Sequence, residues 1–218
     1  MVSFGCDGLV EHDLLFSIAW LLLWVMFIIV RVIPSRNVPT VRRSRKERFR
    51  ALKQEGLCVF FMIFLATYGN VIVGALYLLN PPWASWSYLS LSSELRIAGL
   101  ILSIASLPYA YWVGQTLANY YSFTVEIQKG HKLITTGPYK RVRHPLYAAT
   151  LLFLIGQILV SDNWVFLAIL LAMVPGFYVR IKREEQMMIE EFGDEYRDYI
   201  KQTGRLLPRL GSRKADSQ

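Results

Sequence analysis

The sequence predicts an all-α integral membrane protein with five transmembrane helices, the last two forming a tight hairpin, followed by a C-terminal cytoplasmic amphipathic helix. Three observations predict it. Of the 218 residues, 54% are hydrophobic and mean hydropathy is +0.33, both above the values usual for a water-soluble domain of this length. The apolar residues gather in runs close to the roughly 20 that a helix needs to cross a bilayer. The net charge of +8, from 24 basic and 16 acidic residues, lies beside those runs, as in loops facing an anionic cytoplasmic leaflet.

The first span is Leu14–Ile33. Glu11 and Asp13 lead into it, no small-x-small cleavage site is evident, and Arg31 closes it. That pattern reads as an uncleaved helix, not a signal peptide. Leu57–Leu79 is the second span. Asn80-Pro81-Pro82 stops it, and Trp83, Trp86 and Tyr88 suit a membrane interface. Ile97–Leu117 is the third, with Pro108 expected to kink it. Leu146–Val160 is a short fourth, and Ser161-Asp162-Asn163 is a turn in which Asp162 or Asn163 caps the next helix. Trp164–Val179 is the fifth, interrupted by Pro175-Gly176. So short a connection demands a helical hairpin. Arg180–Arg209 reads as an amphipathic helix continuing from the fifth span, with Met187, Met188, Phe192, Tyr196, Tyr199 and Ile200 as its apolar stripe.

Orientation follows from the loops. Residues 31–56 hold Arg31, Arg36, Arg42, Arg43, Arg45, Lys46, Arg48, Arg50 and Lys53, whereas residues 80–94 hold neither Lys nor Arg. The basic loop belongs inside, so the N-terminus is expected outside, with residues 118–145 and the C-terminal tail cytoplasmic. The chain reads as one membrane-embedded domain over 1–218. Residues 14–117 carry three N-terminal spans, and 118–209 carry a polar loop, the hairpin and the last helix. The basic charge sits beside spans and not on a soluble aromatic-rich face, which argues against nucleic acid. Cys6 and Cys58 make neither a disulfide framework nor a thiolate metal site, and His12, His131 and His144 show no zinc spacing, so no metal is expected.

Two polar segments flank the last two spans. The first is GHKLITTGPYKRVRHPLY, residues 130–147. Gly130 and Gly137-Pro138 mark turns. Pro145 fits the first turn of the fourth helix, which puts His144 at its N-terminal end, where unpaired N–H groups favour an anion. The second is RIKREEQMMIEEFGDEY, residues 180–196. Arg180 and Glu184 are four apart on one face. They read either as an i,i+4 salt bridge or as partners for a ligand, with Glu184 or Glu185 on an ammonium and Arg180 on a substrate anion. A cationic corner facing a carboxylate corner is complementary to an amino-acid zwitterion.

The ordered set HxLxxxGxYxxxRHPxY, an apolar hairpin, then KREE and EEFGDEY, resembles the isoprenylcysteine carboxyl methyltransferase family over roughly residues 124–208. Phospholipid N-methyltransferases share part of the pattern. The resemblance implies S-adenosylmethionine as cofactor, with S-adenosylhomocysteine as product. It implies cofactor contacts at His131, Leu133, Ile134, Tyr139, His144, Pro145, Leu146, Tyr147 and Glu184, with Glu185 adjacent and Gly137 shaping the loop. It implicates Arg180 in the reacting substrate. The expected partners are membrane lipids and a lipophilic small molecule or prenylated cysteine that enters sideways from the bilayer. Glu126 and Gln128 are further candidate pocket walls.

The function expected from this is S-adenosylmethionine-dependent methyl transfer to a lipophilic acceptor, with carboxyl O-methylation of an isoprenylcysteine-like substrate foremost. The alternatives are a phospholipid amine N-methyltransferase, an NADPH-dependent membrane reductase of the sterol-reductase type, and a non-catalytic scaffold. A carboxylate acceptor is ionised at neutral pH and needs no base, whereas an amine acceptor must lose a proton. No GxGxxG motif accompanies KREE.

Overall fold

A computed structural model describes residues 6–35, 56–117 and 133–209. Among these the ordered elements are helical. Helix α1 is Cys6–Ser35. Helix α2, Leu57–Phe64, passes through a π-helical turn, Leu65–Gly69, into α3, Asn70–Leu79. A 3-10 turn, Pro82–Ser87, leads to α4, Ser93–Thr116. A second 3-10 turn, Gly137–Lys140, precedes α5, Pro145–Ser161, and a two-residue link leads into α6, Trp164–Phe192. Helix α7, Asp194–Gln202, closes the described chain.

Among the described residues, four stretches are long and apolar enough to cross a membrane: Leu14–Ile33, Cys58–Leu79, Ser93–Thr116 and Trp164–Phe192. Helix α5, with 17 residues, falls into a shorter apolar class. Large apolar side chains stay exposed along these helices, among them Leu15, Leu22, Ile28, Phe61, Val71, Ile72, Ile101 and Leu171. A helix apolar on all sides and bare on one side belongs against lipid.

What holds the helices together is aromatic packing and close backbone approach. Phe27 of α1 stacks on Phe153 of α5, ring centroids 4.0 Å apart, and Trp20 meets Tyr77 of α3 and Phe166 of α6. Helices α4 and α5 approach through Gly99 and Gly156. A Cβ on Gly156 would stand 2.7 Å from the Gly99 carbonyl oxygen and closer still to Ser103 Oγ. Small residues permit such contact where apolar burial gives no preference for protein over lipid.

Three expectations need correction. Pro175-Gly176 does not interrupt the fifth span: α6 runs through it to Phe192. Gly176 lies against α2, where an added Cβ would come 2.9 Å from the Cys58 carbonyl oxygen and nearer to Met62, so the glycine serves packing. The third span begins at Ser93, earlier than Ile97. The C-terminal segment is not one continuous helix: Gly193 takes φ 56°, breaking the chain between α6 and α7, and α7 ends at Gln202. A positive φ is cheap only for glycine. The stripe is realised in α7 by Tyr196 and Tyr199, both buried.

At one end of the bundle, loop 80–92 is tied to the α5–α6 link. Asp162, left-handed at φ 54°, accepts from Leu89 N on its carbonyl (2.9 Å) and from Leu91 N on Oδ1 (2.8 Å). Asn163 caps α6, accepting from Val165 N at 2.9 Å and donating to Ser87 Oγ at 2.7 Å. Of the two caps considered for this helix, Asn163 is the one used.

Candidate functional site

The opposite ends of α5 and α6 carry the polar segments. Pro145 is the first residue of α5 and is fully buried, while His144 is its N-cap, with backbone outside the helical region and no side-chain cap bond. Proline needs no N–H partner at that position, and its ring fixes the chain's entry. The geometry leaves the imidazole free to turn toward α6.

There it lies between two carboxylates. His144 Nδ1 is 3.5 Å from Glu184 Oε2, and Nε2 is 3.3 Å from Glu185 Oε1. Successive residues of a helix point about 100° apart, so the two glutamates reach the ring from different directions. Glu184 accepts from Tyr147 Oη at 2.6 Å and from Arg180 Nε at 3.3 Å. Glu185 accepts from Arg143 Nε at 3.0 Å and, on both oxygens, from Arg205. Buried carboxylates are stable only when paired and hydrogen-bonded, and each has at least two donors here.

Burial alone would lower the His144 pKa from its ordinary 6.5. Its hydrogen bonds to Glu184 and Glu185, and their charges, outweigh that and raise it. The two carboxylates therefore favour the protonated ring. Burial also pushes the Tyr199 hydroxyl up to about 12. It stays a neutral donor and gives its proton to the Tyr139 carbonyl at 2.6 Å, which anchors the 3-10 turn on α7.

The structure thus brings His144, Tyr147, Arg180, Glu184 and Glu185 together. Tyr139 is buried beside the cluster through α7. Gly137 takes φ 58° and packs toward Thr116 and Trp112 at the end of α4. Leu146 is half-buried in the first turn of α5, and Leu133 and Ile134 are half-buried where the described segment begins. His131, Glu126 and Gln128 lie outside the described residues, as does most of the basic loop. Arg180–Glu184 does form the i,i+4 ion pair, so both readings of that pair remain compatible with its position. Among the described residues no group of His, Cys, Asp and Glu is arranged to hold a metal ion.

Sequence reasoning missed Arg143, Thr203 and Arg205. The signal was present: two adjacent acids on a helix leaving the membrane demand several cationic partners when buried, and Arg143 stands directly beside His144. Arg205 was harder to see, because nothing in QTGRLLP (202–208) marks a return to the site.

Residues 99–190 match the family model described as the isoprenylcysteine carboxyl methyltransferase (ICMT) family. That stretch includes most of α4, the 3-10 turn Gly137–Lys140, α5 and α6 as far as Glu190. The resemblance carried by the RHPLY and KREE motifs is therefore shown over this region. Among curated proteins, the chain is 30% identical over 90 residues to the nickel-cobalt-cadmium resistance protein NccN of Alcaligenes xylosoxydans xylosoxydans, covering 41% of this chain and 42% of that protein. It is 35% identical over 81 residues to the protein-S-isoprenylcysteine O-methyltransferase of Schizosaccharomyces pombe, covering 37% and 34%. It is 30% identical over 117 residues to that of Xenopus laevis, covering 52% and 41%. The chain spans less than half the length of these relatives. Among solved structures it is similar to that of the eukaryotic intramembrane Ras methyltransferase ICMT, with a TM-score of 0.49 and 24% identity, over 80% of this chain and 56% of that one.

Proposed function

We propose that this chain is a membrane methyltransferase that uses S-adenosylmethionine, holds it at the His144–Glu184 end of α5 and α6, and methylates the carboxylate of an isoprenylcysteine-like lipid. The observation that carries the reading is the placing of a protonatable ring and a carboxylate, His144 and Glu184, at one corner within the segment that matches the ICMT family model.

The donor set fits the cofactor. An amino-acid moiety carries one cationic and one anionic end. His144 with the start of α5 suits the carboxylate, and Glu184, held by Tyr147, suits the ammonium. His131, Leu133, Ile134, Gly137, Tyr139, Pro145, Leu146 and Glu185 complete the proposed wall. The cofactor, when bound, supplies an electrophilic methyl group for in-line displacement. The chain's own task is to position the acceptor and exclude water. Arg180, last polar step before the apolar part of α6, offers its guanidinium fork to an acceptor carboxylate. Both ring nitrogens of His144 face carboxylates, Glu184 and Glu185, which leaves neither turned to strip a proton from an amine and favours an acceptor that arrives already ionised.

The same reading takes α5 as a fourth of five membrane crossings. Its 17 residues rise about 26 Å, at the short end for a bilayer core. The basic loop 31–56 and the site then face the cytoplasm, with the N-terminus outside, and the chain acts as a single domain in which the three N-terminal spans adjoin the cofactor-binding part.

The decisive experiment is ligand protection in detergent. S-adenosylhomocysteine should raise the thermal stability of the purified protein and NADPH should not; the reverse would replace this reading with a reductase. Labelled S-adenosylmethionine with a farnesylated cysteine analogue should give a base-labile methyl ester. Glu184→Gln should lose cofactor binding, whereas Arg180→Ala should keep it and lose turnover. Loss of cofactor affinity in Arg180→Ala would refute the role given to that arginine.

A further inference from the structure

The two glutamates have different surroundings. Glu184 meets side chains of its own hairpin: Tyr147 and His144 at the start of α5, and Arg180 one turn back on α6. Glu185, buried, meets groups from outside the hairpin helices as well. These are three groups from two segments: Arg143 and His144 before α5, and Arg205 beyond α7.

Residues beyond α7 return to the segment before α5. Gly204 N donates to the Arg141 carbonyl at 3.0 Å, Arg143 N to the Gly204 carbonyl at 2.9 Å, and His144 N to the Arg205 carbonyl at 3.0 Å. Val142 and Gly204 pair as a parallel bridge. The Arg143 side chain reinforces the same contact, with Nη1 donating to the Ile200 carbonyl at 3.1 Å and also to the Thr203 carbonyl. Thr203 Oγ1 in turn donates to the Tyr199 carbonyl at 2.6 Å. Backbone bonds therefore hold residues 203–205 against the His144 backbone, and Glu185 ties both sides together through Arg143 and Arg205. Arg205 is the outermost of these groups, its side chain 44% exposed against 9% for Glu185.

Resting on the methyltransferase reading, we propose that residues 203–205 form a latch over the cofactor site and that Glu185 is its keeper: a positioning residue that fixes the His144 ring, while Glu184 faces the ligand. Both Glu185 oxygens are engaged by the chain's own arginines. Its Oε1 also takes Nε2 of His144, which turns Nδ1 toward Glu184 and the ligand corner. Releasing Arg205 frees one side of Glu185, loosens the imidazole and unpairs the His144 and Arg143 amides. The latch lies beyond the segment that matches the ICMT family model, which ends at residue 190.

The test is a double-variant cycle on the full chain in detergent, with two readouts. The first is hydrogen exchange of the Arg143 and His144 amides without ligand. Arg205→Ala and Glu185→Gln should each accelerate it, and the pair should do no more than either alone. The second is binding of S-adenosylhomocysteine. Arg205→Ala should weaken it about tenfold, as expected for loss of a hydrogen bond to a charged group, Glu185→Gln at least as much because it also gives up Arg143 and His144, and the double variant no more than Glu185→Gln alone, because Arg205 acts through Glu185. In Arg205→Ala, KM for the cofactor should rise with kcat at saturation nearly unchanged, the pattern of lost ground-state binding. Additive effects, with the double variant about tenfold weaker than Glu185→Gln alone, would overturn the coupling. So would unchanged exchange in Arg205→Ala, or Glu185→Gln losing affinity while Arg205→Ala keeps it. A wild-type protein that fails to bind S-adenosylhomocysteine would undo the methyltransferase reading, whereas the exchange arm decides the latch without any ligand.

Discussion

The hydroxyl of Tyr147 gives Glu184 its shortest contact, at 2.6 Å. A hydrogen bond to a buried charged group is worth about 1.5–3 kcal/mol, so Tyr147→Phe should weaken S-adenosylhomocysteine binding about tenfold or more by calorimetry, with the fold intact. His144 makes a different prediction. Its folded pKa is raised above the ordinary 6.5, so its stabilising contribution is complete below about pH 6.5 and disappears as pH rises through the folded value. The difference in melting temperature between wild type and His144→Gln should therefore be largest on the acid side and shrink toward alkaline pH; a difference that grows with pH would contradict the ion-pair geometry. At this scale the sequence was informative where chemistry is local. His144, Pro145, Tyr147, Arg180 and Glu184 sit within short motifs whose helical spacing puts them near one another. Arg205 was illegible, because its partner lies 20 positions away and only the turn at Gly193 and the end of α7 bring it back.

Among the elements, the α4–α5 pair depends most on side chains being small. Gly156→Ala would set a Cβ 2.7 Å from the Gly99 carbonyl oxygen and 2.9 Å from Ser103 N, both backbone atoms. Overpacking of this kind costs about 1–3 kcal/mol, and the variant should lose thermal stability in detergent and, with α5 displaced, affinity at its far end. Asn163→Ala removes the α6 cap and the Ser87 contact together. A lost N-cap costs about 1 kcal/mol, so stability should fall by about that much while S-adenosylhomocysteine affinity, which the proposed site assigns to the other end of α6, holds. Element existence was readable from apolar runs. Element ends were not: Pro175-Gly176 reads as a break in any one-dimensional pattern, because the reason for the glycine, the approach of Met62 and Cys58, belongs to tertiary packing.

For the molecule as a whole, the proposed orientation separates two regions that single cysteines can distinguish. In a background with Cys6 and Cys58 replaced by serine, Ser85→Cys should react with an impermeant maleimide added outside intact cells, and Asp198→Cys only after the membrane is opened. Labelling in the opposite sense would invert the topology. The bundle also divides its labour. Every described member of the ionic cluster comes from residues 143–205, whereas α1, α2 and α3 contribute aromatic packing and a lipid-facing surface. An ionic cluster confined to one contiguous stretch leaves the remaining helices to vary at the pace of the membrane environment and, on the proposed reading, of whatever hydrophobic guest each descendant must admit. Such a chain can inherit its ionic cluster almost unaltered while exchanging the walls around it, and divergence should concentrate where lipid is the neighbour.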